Sequence, residues 1–468
     1  MGALMIQGTS SSAGKSLITT ALARACHRRG LDVVPFKAQN MSNNARVVKG
    51  GEIGTAQYLQ AVAAGVEPDV WMNPVLVKPE GDNRTQVVVL GKPDLELSKL
   101  AWRSRASLLW PVIDRSLKRL LTEHELVLIE GAGSPAETNL RHTDLANMRT
   151  AQAAAARVLL VADIDRGGAF AHLYGTWALL PEAERALLAG FVLNRFRGDP
   201  ALLPPAPEDL ERLTGVSTLG VIPWLHHGLP DEDGAATPAT SLSNFSVAVV
   251  RYPTASNLDE YKLLEQVVDL RWADQPQDIE HSDLVILPGS KHVAADLAWL
   301  ASTGMAKAVS GRARRGRLVL GICGGLQMLG ERVEDEGGVD GSADGLGLLP
   351  LRTTFKAAKL TERVSCSFNA LPPPWHALSC RSFSGYQIRH GLTAARGPVA
   401  EALPNGLGYV SGSVLGIYVH GVFEEPAVLA ALFEEQPTRS LDVVFDELAD
   451  AIEQHLDVSF LLSEAGIS

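Results

Sequence analysis

The chain has 468 residues, 46% of them hydrophobic and 20% charged, too long for one ordinary core, and this predicts a soluble globular protein of two or three domains. A formal net charge of −11 argues against a general nucleic-acid binder, and no apolar run reaches the ~18–20 residues of a membrane span. The start, Met1–Gly8, lacks the basic stretch and cleavage site of a signal peptide, so a cytoplasmic setting is expected, with Cys26, Cys323, Cys366 and Cys380 as free thiols too scattered for a metal-type pair.

Along the first 225 residues or so, short apolar runs alternate with helical stretches. Leu4–Gln7, Val33–Phe36, Leu126–Ile129, Val158–Val161, Gly190–Leu193 and Thr218–Ile222 read as buried strands, and Ser16–Arg29 as an amphipathic helix. This alternation predicts an α/β fold with a mainly parallel sheet flanked by helices. Residues 229–244, rich in Pro, Gly, Ser, Thr and acids, read as a linker between a first domain at 1–228 and a second at 245–433. The second domain repeats the α/β alternation, with strands at Phe245–Val250, Leu284–Leu287 and Leu318–Ile322. A β-richer stretch follows, at Arg381–Ile388, Gly408–Val410 and Val414–Val419. Residues 434–468 form a tail with helical spacing from Leu441 to Leu462.

Between the first strand and the first helix stands Gly8-Thr9-Ser10-Ser11-Ser12-Ala13-Gly14-Lys15-Ser16. A phosphate chain needs unobstructed backbone N–H groups, a helix N-terminus and a mobile cation. Thr9, Ser10, Ser11, Ser12, Ala13 and Gly14 supply the first, the helix opening at Lys15 the second and Lys15 itself the third, with the Ser16 hydroxyl as a Mg²⁺ ligand. The usual loop has four residues between its glycines. Here Gly8 and Gly14 enclose five, so Thr9 takes the place of the first glycine. Glu130, at the end of Leu126–Ile129 and before a small-residue turn, is the second candidate Mg²⁺ ligand. Lys37, at the end of Val33–Phe36, is placed to reach the same phosphates. An ATP site with Mg²⁺ is therefore expected, a turn-forming Gly/Ser loop being the bland alternative.

In the second half, Leu318-Val319-Leu320-Gly321-Ile322-Cys323-Gly324-Gly325 reads as strand, sharp turn and helix. Such a turn holds Cys323 clear of the sheet beside a helix N-terminus, which favours its thiolate. A buried structural cysteine is the alternative, and the flanking glycines speak against it. A nucleophilic cysteine needs a base. His420 ends the apolar run Tyr418-Val419 and is the candidate, a packed histidine being the alternative.

The first half resembles the dethiobiotin synthetase-like P-loop group, through its GTSSSAGKS loop, strand-end lysine and Glu130-Gly131-Ala132-Gly133 turn. More specifically, nearly the whole chain resembles the cobyric acid synthase family of the cobalamin pathway. The resemblance rests on residues 35–45 (PFKAQNMSNNA), 50–68, 72–79, 85–92, 129–137 and 161–171. It implies amidation of four side-chain carboxylates (b, d, e and g) of adenosylcobyrinic acid a,c-diamide, each using one ATP and one glutamine. A carboxylate resists ammonia because its carbon is electron-rich and its leaving group poor, so an acyl phosphate must form first. Gln39, Asn40, Asn43, Asn44, Gln57 and Asn73 are expected to bind the corrinoid, whose rim carries carboxylates and amides. In the synthetase-like group an Asn at the place of Asn194 reads the adenine edge, a helix-cap role being the alternative. Asp163 and Asp165 are candidates for further Mg²⁺ or substrate contacts, or for turn formation.

The second half resembles class I glutamine amidotransferases, which implies Cys323 as nucleophile and His420 as base. An oxyanion hole is implied from Gly289-Ser290 and the amide of Gly324. Many members carry a Glu two residues after the His, where this chain has Val422. Either Cys323 and His420 act as a pair, the favoured reading, or a carboxylate such as Glu424 completes them. Gln387 stands where relatives often carry an acid, and Arg389-His390 ends that run differently. Two sites imply an ammonia passage between them. The rivals are a cobyrinic acid a,c-diamide synthase, disfavoured by the AQNMSNN run, and a P-loop ATPase with an inactive amidotransferase-like domain. A cysteine peptidase or amidase unlinked to ATP would leave the P-loop unexplained.

Overall fold

The computed structural model describes residues 1–81, 84–230, 243, 245–336 and 338–467. Most of the expected linker, 229–244, lies outside the described residues. Six strands form a wholly parallel sheet in the order Thr218–Pro223, Leu188–Phe196, Arg157–Asp163, Gly2–Gly8, Leu126–Glu130, Val33–Phe36. All seven residues of the central strand Gly2–Gly8 are buried, because helices cover both faces and leave no solvent side for polar alternation. The six strands expected from apolar runs are all present and each is at most a few residues longer.

One part of this unit departs from the simple alternation. Between Val33–Phe36 and Leu126–Glu130 the chain builds a small mixed sheet of Gln39–Met41, Val75–Gly81, Arg84–Val89 and Lys92–Asp94. It also builds a separate hairpin of Ala45–Val48 and Gly51–Gly54. This excursion carries the amide-rich run and faces the second unit.

The second unit has a seven-stranded sheet, ordered Asp269–Ala273, Ser246–Val250, Leu284–Leu287, Leu318–Ile322, Val414–Ile417, Gly408–Ser411, Ala400–Leu403. The first five are parallel and the last two antiparallel. A long antiparallel pair, Leu351–Ser367 with Ser382–Ala395, forms an arm beside it and extends the strand expected at Arg381–Ile388.

The tail forms two helices, Leu441–His455 and Val458–Glu464, with Leu456-Asp457 between them. They pack on the first unit rather than the one they follow. Val444, Phe445, Leu448, Ile452, Leu456 and Leu461 share a core with Ile18, Leu22 and Cys26 of the helix Lys15–Arg28. Arg24 and Arg28 pair with Asp446 and Asp450 along the rim of that contact. No helix among the described residues is long and apolar enough to cross a membrane.

Candidate active sites

At the first site the strand Gly2–Gly8 runs into the loop 9–14 and the helix Lys15–Arg28. The Thr9 amide donates to Val161 O (2.9 Å), which anchors the loop on the sheet edge. Ser12 and Gly14 take left-handed backbone angles (φ 56° and 102°), and Ser11 and Ser12 are exposed. A Cβ on Gly14 would lie 1.9 Å from Asn194 Nδ2, so only glycine closes this loop. Asn194 Nδ2 donates to Ala13 O (2.9 Å), which braces the loop from the next strand but one. An adenine contact would have to use its oxygen or its second N–H.

Lys15 Nζ donates to Ser10 O (3.0 Å) and Gly133 O (3.3 Å), spanning the loop and the turn after Glu130. Glu130 is fully buried, and four side chains converge on it. Ser16 Oγ and Lys37 Nζ reach Oε1 at 2.9 and 2.7 Å, and Gln60 and Gln57 Nε2 reach Oε2 at 2.5 and 3.5 Å. Sequence reasoning missed Gln60. Its signal was the i, i+3 spacing of Gln57 and Gln60 on the helix Thr55–Ala63, which puts both amides on one face. Asn147 was also missed: it clasps Ala132 through N–H and C=O (3.1 and 2.7 Å) and so holds the turn after Glu130.

The six expected corrinoid-binding residues divide. Gln39 is half-buried on its strand, and Asn40 donates to Gln57 Oε1 (2.9 Å), which places Asn40 beside the Glu130 cluster. Asn43 keeps a buried Oδ1 that no group among the described residues satisfies. Asn73 and Asn44 make backbone contacts within the protein. Asn73 donates to Lys37 O and Val75 O (3.1 and 3.0 Å) and accepts from Gly54 N (3.1 Å), so it staples three backbone segments rather than offering itself to a ligand. Asn44 Oδ1 accepts from Leu258 N (3.2 Å) in the second unit, which makes it an interdomain contact. Asp163 pairs with Arg195 (2.8 Å) and Asp165 with Arg197 (3.2 Å), which favours a structural role for both.

At the second site Cys323 sits at φ 54°, ψ −104°, a strained angle between strand and helix. The turn closes because a Cβ on Gly325 would meet Leu287 O at 1.9 Å, and no other residue fits. Cys323 is nearly buried, its Sγ 3.6 Å from Ile388 O and near enough to the His420 imidazole to raise its pKa. Gly289-Ser290 pairs antiparallel with Ala255-Ser256 and stands against both the His420 ring and Gly324. The Ser290 amide and the start of the helix Gly324–Leu329 therefore flank the sulfur. Ser290 Oγ is held by Asp296 (2.6 Å), so the backbone is the part left for an oxyanion.

Glu260 decides the question of the third group. His420 Nδ1 lies 2.9 Å from Glu260 Oε1, and Gly421 N donates to Oε2 at 2.8 Å. The Cys–His pair favoured from sequence is thus corrected to a chain of three. Glu424, the alternative then named, pairs with Arg46 instead. Glu260 was missed because it sits in the one-turn helix Leu258–Tyr261, about 160 residues before the His it serves, with no strand-end pattern to mark it. Burial pulls the His420 imidazole down, but Glu260 and the Cys323 thiolate outweigh it and push it up to about 10. Gln387 lies beside this chain but is tied to Glu362 (2.8 Å) and Arg389 (2.7 Å), so the departure it marks does not touch Sγ.

Residues 4–228 match the model of the CobQ/CobB/MinD/ParA nucleotide binding domain, and residues 246–428 that of the CobB/CobQ-like glutamine amidotransferase domain. The chain is 52% identical to a cobyric acid synthase of Polaromonas sp. (strain JS666), over 98% of this chain and 97% of the relative. It is 54% identical to that of Acidovorax sp. (strain JS42), over 97% and 96%. The cobyric acid synthase of Variovorax paradoxus (strain S110) is 52% identical over 98% of each.

Proposed function

Because this chain belongs to the cobyric acid synthase family, we propose that its two sites act in series on a corrinoid bound beside the first. The protein is a glutamine-hydrolysing, ATP-dependent amide ligase, and its substrate is adenosylcobyrinic acid a,c-diamide. The observation that carries the division of labour is the Cys323–His420–Glu260 chain, complete in the same polypeptide as Lys15 and Glu130.

In the first site a corrin carboxylate attacks the γ-phosphorus of ATP, giving an acyl phosphate and ADP. Lys15 and the loop amides from Thr9 to Gly14 hold the phosphates, and Lys37 balances the charge that moves to the bridging oxygen. Asn40 and Gln57, with Gln39 and Asn43, present amides to the corrin rim. An amide can donate to a carboxylate and accept from a carboxamide, so one rim suits successive intermediates. Mg²⁺ fits this site. Ser16 Oγ and Glu130 Oε1 stand 2.9 Å apart, and both are oxygens of the hard type this ion takes. These two residues would hold it, and it would supply positive charge to neutralise the phosphates, with Lys37 moving off Glu130 toward them.

In the second site the Cys323 thiolate attacks the glutamine amide carbon, and the oxyanion points at the amides of Ser290 and Gly324. The His420 imidazolium gives its proton to the departing ammonia, leaving a thioester. Neutral His420 then takes a proton from water, which attacks the thioester and releases glutamate and the thiolate. Ammonia must reach the acyl phosphate unprotonated, so it passes between the sites without entering bulk water. It displaces phosphate and forms the amide.

The test is an assay with cobyrinic acid a,c-diamide, Mg-ATP and glutamine labelled at its amide nitrogen. Label should enter the corrinoid with one ADP formed per amide. ATP hydrolysis with no amide formed, from either glutamine or ammonium, would overturn the function.

A further inference from the structure

Between the two sites lies a buried cluster that neither half-reaction uses. The hairpin Ala45–Val48/Gly51–Gly54 projects from the first unit, and its Arg46 is nearly buried against the second. Arg46 Nε donates to Asp259 Oδ2 (2.8 Å), its terminal nitrogen reaches Asp259 and also Glu424 Oε1 (2.5 Å), and its guanidinium lies 5.2 Å from the Tyr386 ring centroid. Each of these neighbours adjoins the glutaminase chain. Asp259 directly precedes Glu260, and Glu424 follows His420 by four residues. Tyr386 stacks on the His420 ring (5.2 Å, 18°) and exchanges two backbone hydrogen bonds with it. Asn257 Nδ2 adds bonds to Ala45 O (2.7 Å) and to the Tyr386 hydroxyl (2.9 Å). The Glu260 segment is therefore clamped from outside its own unit.

We infer that Arg46 is a positioning residue for the glutaminase, supplied by the ATP-site unit, and that the clamp couples glutamine hydrolysis to the state of the first site. This rests on the reading of the two sites given above. Buried carboxylates tolerate one another only while a cation sits between them. Without Arg46, the fully buried Asp259 is left without a counter-charge beside the part-exposed Glu424, and Asp259 shifts the next residue, Glu260, off the imidazole. The route to the first site is short. The same run of chain carries Asn40, which holds Gln57, which in turn reaches Glu130. Whatever reorders Asn40 and Gln57 around ATP and corrinoid pulls on a segment that ends in the clamp. Coupling of this kind requires a measured effect of one site on the other.

The experiment measures glutamine hydrolysis with and without Mg-ATP and cobyrinic acid a,c-diamide, and ammonia-supported amidation, in the wild type and in Arg46→Met and Arg46→Lys. Arg46→Met keeps the stem but removes the charge. It should lower kcat for glutamine about 10- to 100-fold, a loss like that when a group orienting a metal ligand is removed. KM for glutamine and ammonia-supported amidation should stay nearly unchanged. Substrates should stimulate wild-type hydrolysis and fail to stimulate Arg46→Met, and Arg46→Lys should recover part of both losses. Wild-type kcat in Arg46→Met, equal loss of glutamine- and ammonia-supported activity, or no stimulation of the wild type would each overturn the inference. If Arg46→Met does not fold, Arg46→Lys decides: kcat lowered with ammonia-supported activity intact supports the clamp, and unchanged kcat sinks it. Absence of ammonia-supported amidation in the wild type would instead overturn the underlying reading of the first site.

Discussion

Each site is organised around a buried glutamate, and the two glutamates are held in opposite ways. Glu130 is a hub: Ser16, Lys37, Gln57 and Gln60 all point at it from elements of its own unit. Glu260 is a link: it orients one imidazole and one backbone amide, and its own segment is steadied by the neighbouring unit. A hub can exchange its partners for a metal and phosphates, because its donors bind equally well to incoming oxygens. A link has one useful geometry, and its support has to be rigid. The first site is therefore satisfied by its own side chains, whereas the second is held by its neighbour.

The largest effects should separate the two sites outright. Cys323→Ala should abolish glutamine-supported amidation and leave ammonia-supported amidation intact. Lys15→Ala should lower amidation from either nitrogen source by about 1000-fold, as expected when a preorganised charge is taken from a phosphoryl-transfer site. It should leave a basal glutaminase, read as glutamate formed without ATP. If Cys323→Ala also removed ammonia-supported turnover, the sites would not be separable and the comparison would fall.

Next in size is Glu260→Gln. The variant keeps the shape but loses the charge that holds the imidazolium, and glutamine kcat should fall about 100-fold or more. The pH profile carries the more specific signature. Glu260 helps to hold His420 up near 10 against the pull of burial. Removing it lowers the imidazole pKa, so the alkaline limb of kcat/KM for glutamine should move to lower pH. A profile that keeps its alkaline limb in place would mean that Glu260 does not govern the imidazole. Ammonia-supported amidation should not change. By contrast, Glu130→Gln should reduce amidation from both nitrogen sources while leaving that limb where it is.

What was legible in the sequence follows the same division. Groups on a strand end or a strand-to-helix turn announced themselves: Lys37, Glu130, Cys323 and His420 each end or follow a run of buried apolar residues, and Lys15 and Ser16 open the helix after the small-residue loop. The parallel sheets were legible for the same reason, since strands covered on both faces read as unbroken apolar runs. Glu260 was not, because a one-turn helix has no periodicity and its partner lies in a distant segment. Nor was the excursion around the hairpin at 45–54, whose short strands carry Arg46 and Glu52 inward to meet the other unit. Asn44 and Asn73 stand among other amides in the sequence, and sequence alone does not distinguish an amide facing a substrate from one stapling a backbone.

The smallest effects concern the tail, where sequence order and spatial order part company. Helix Leu441–His455 follows the glutaminase in the chain yet buries Phe445 and Leu448 against the helix that starts with Lys15. Phe445→Ala should therefore destabilise the first unit by about 3–5 kcal/mol, the usual range for emptying a buried aromatic site. Ammonia-supported amidation should fail at a lower temperature than glutamine hydrolysis does. Arg28→Ala removes only a part-exposed ion pair to Asp450 (2.7 Å) and should cost under about 1 kcal/mol. Thermal inactivation of both activities, followed side by side, reads the two variants. Equal loss of both activities in Phe445→Ala would mean that the clamp at Arg46 makes the two units unfold as one. That outcome would replace two sites on independent scaffolds with two sites on a single cooperative body.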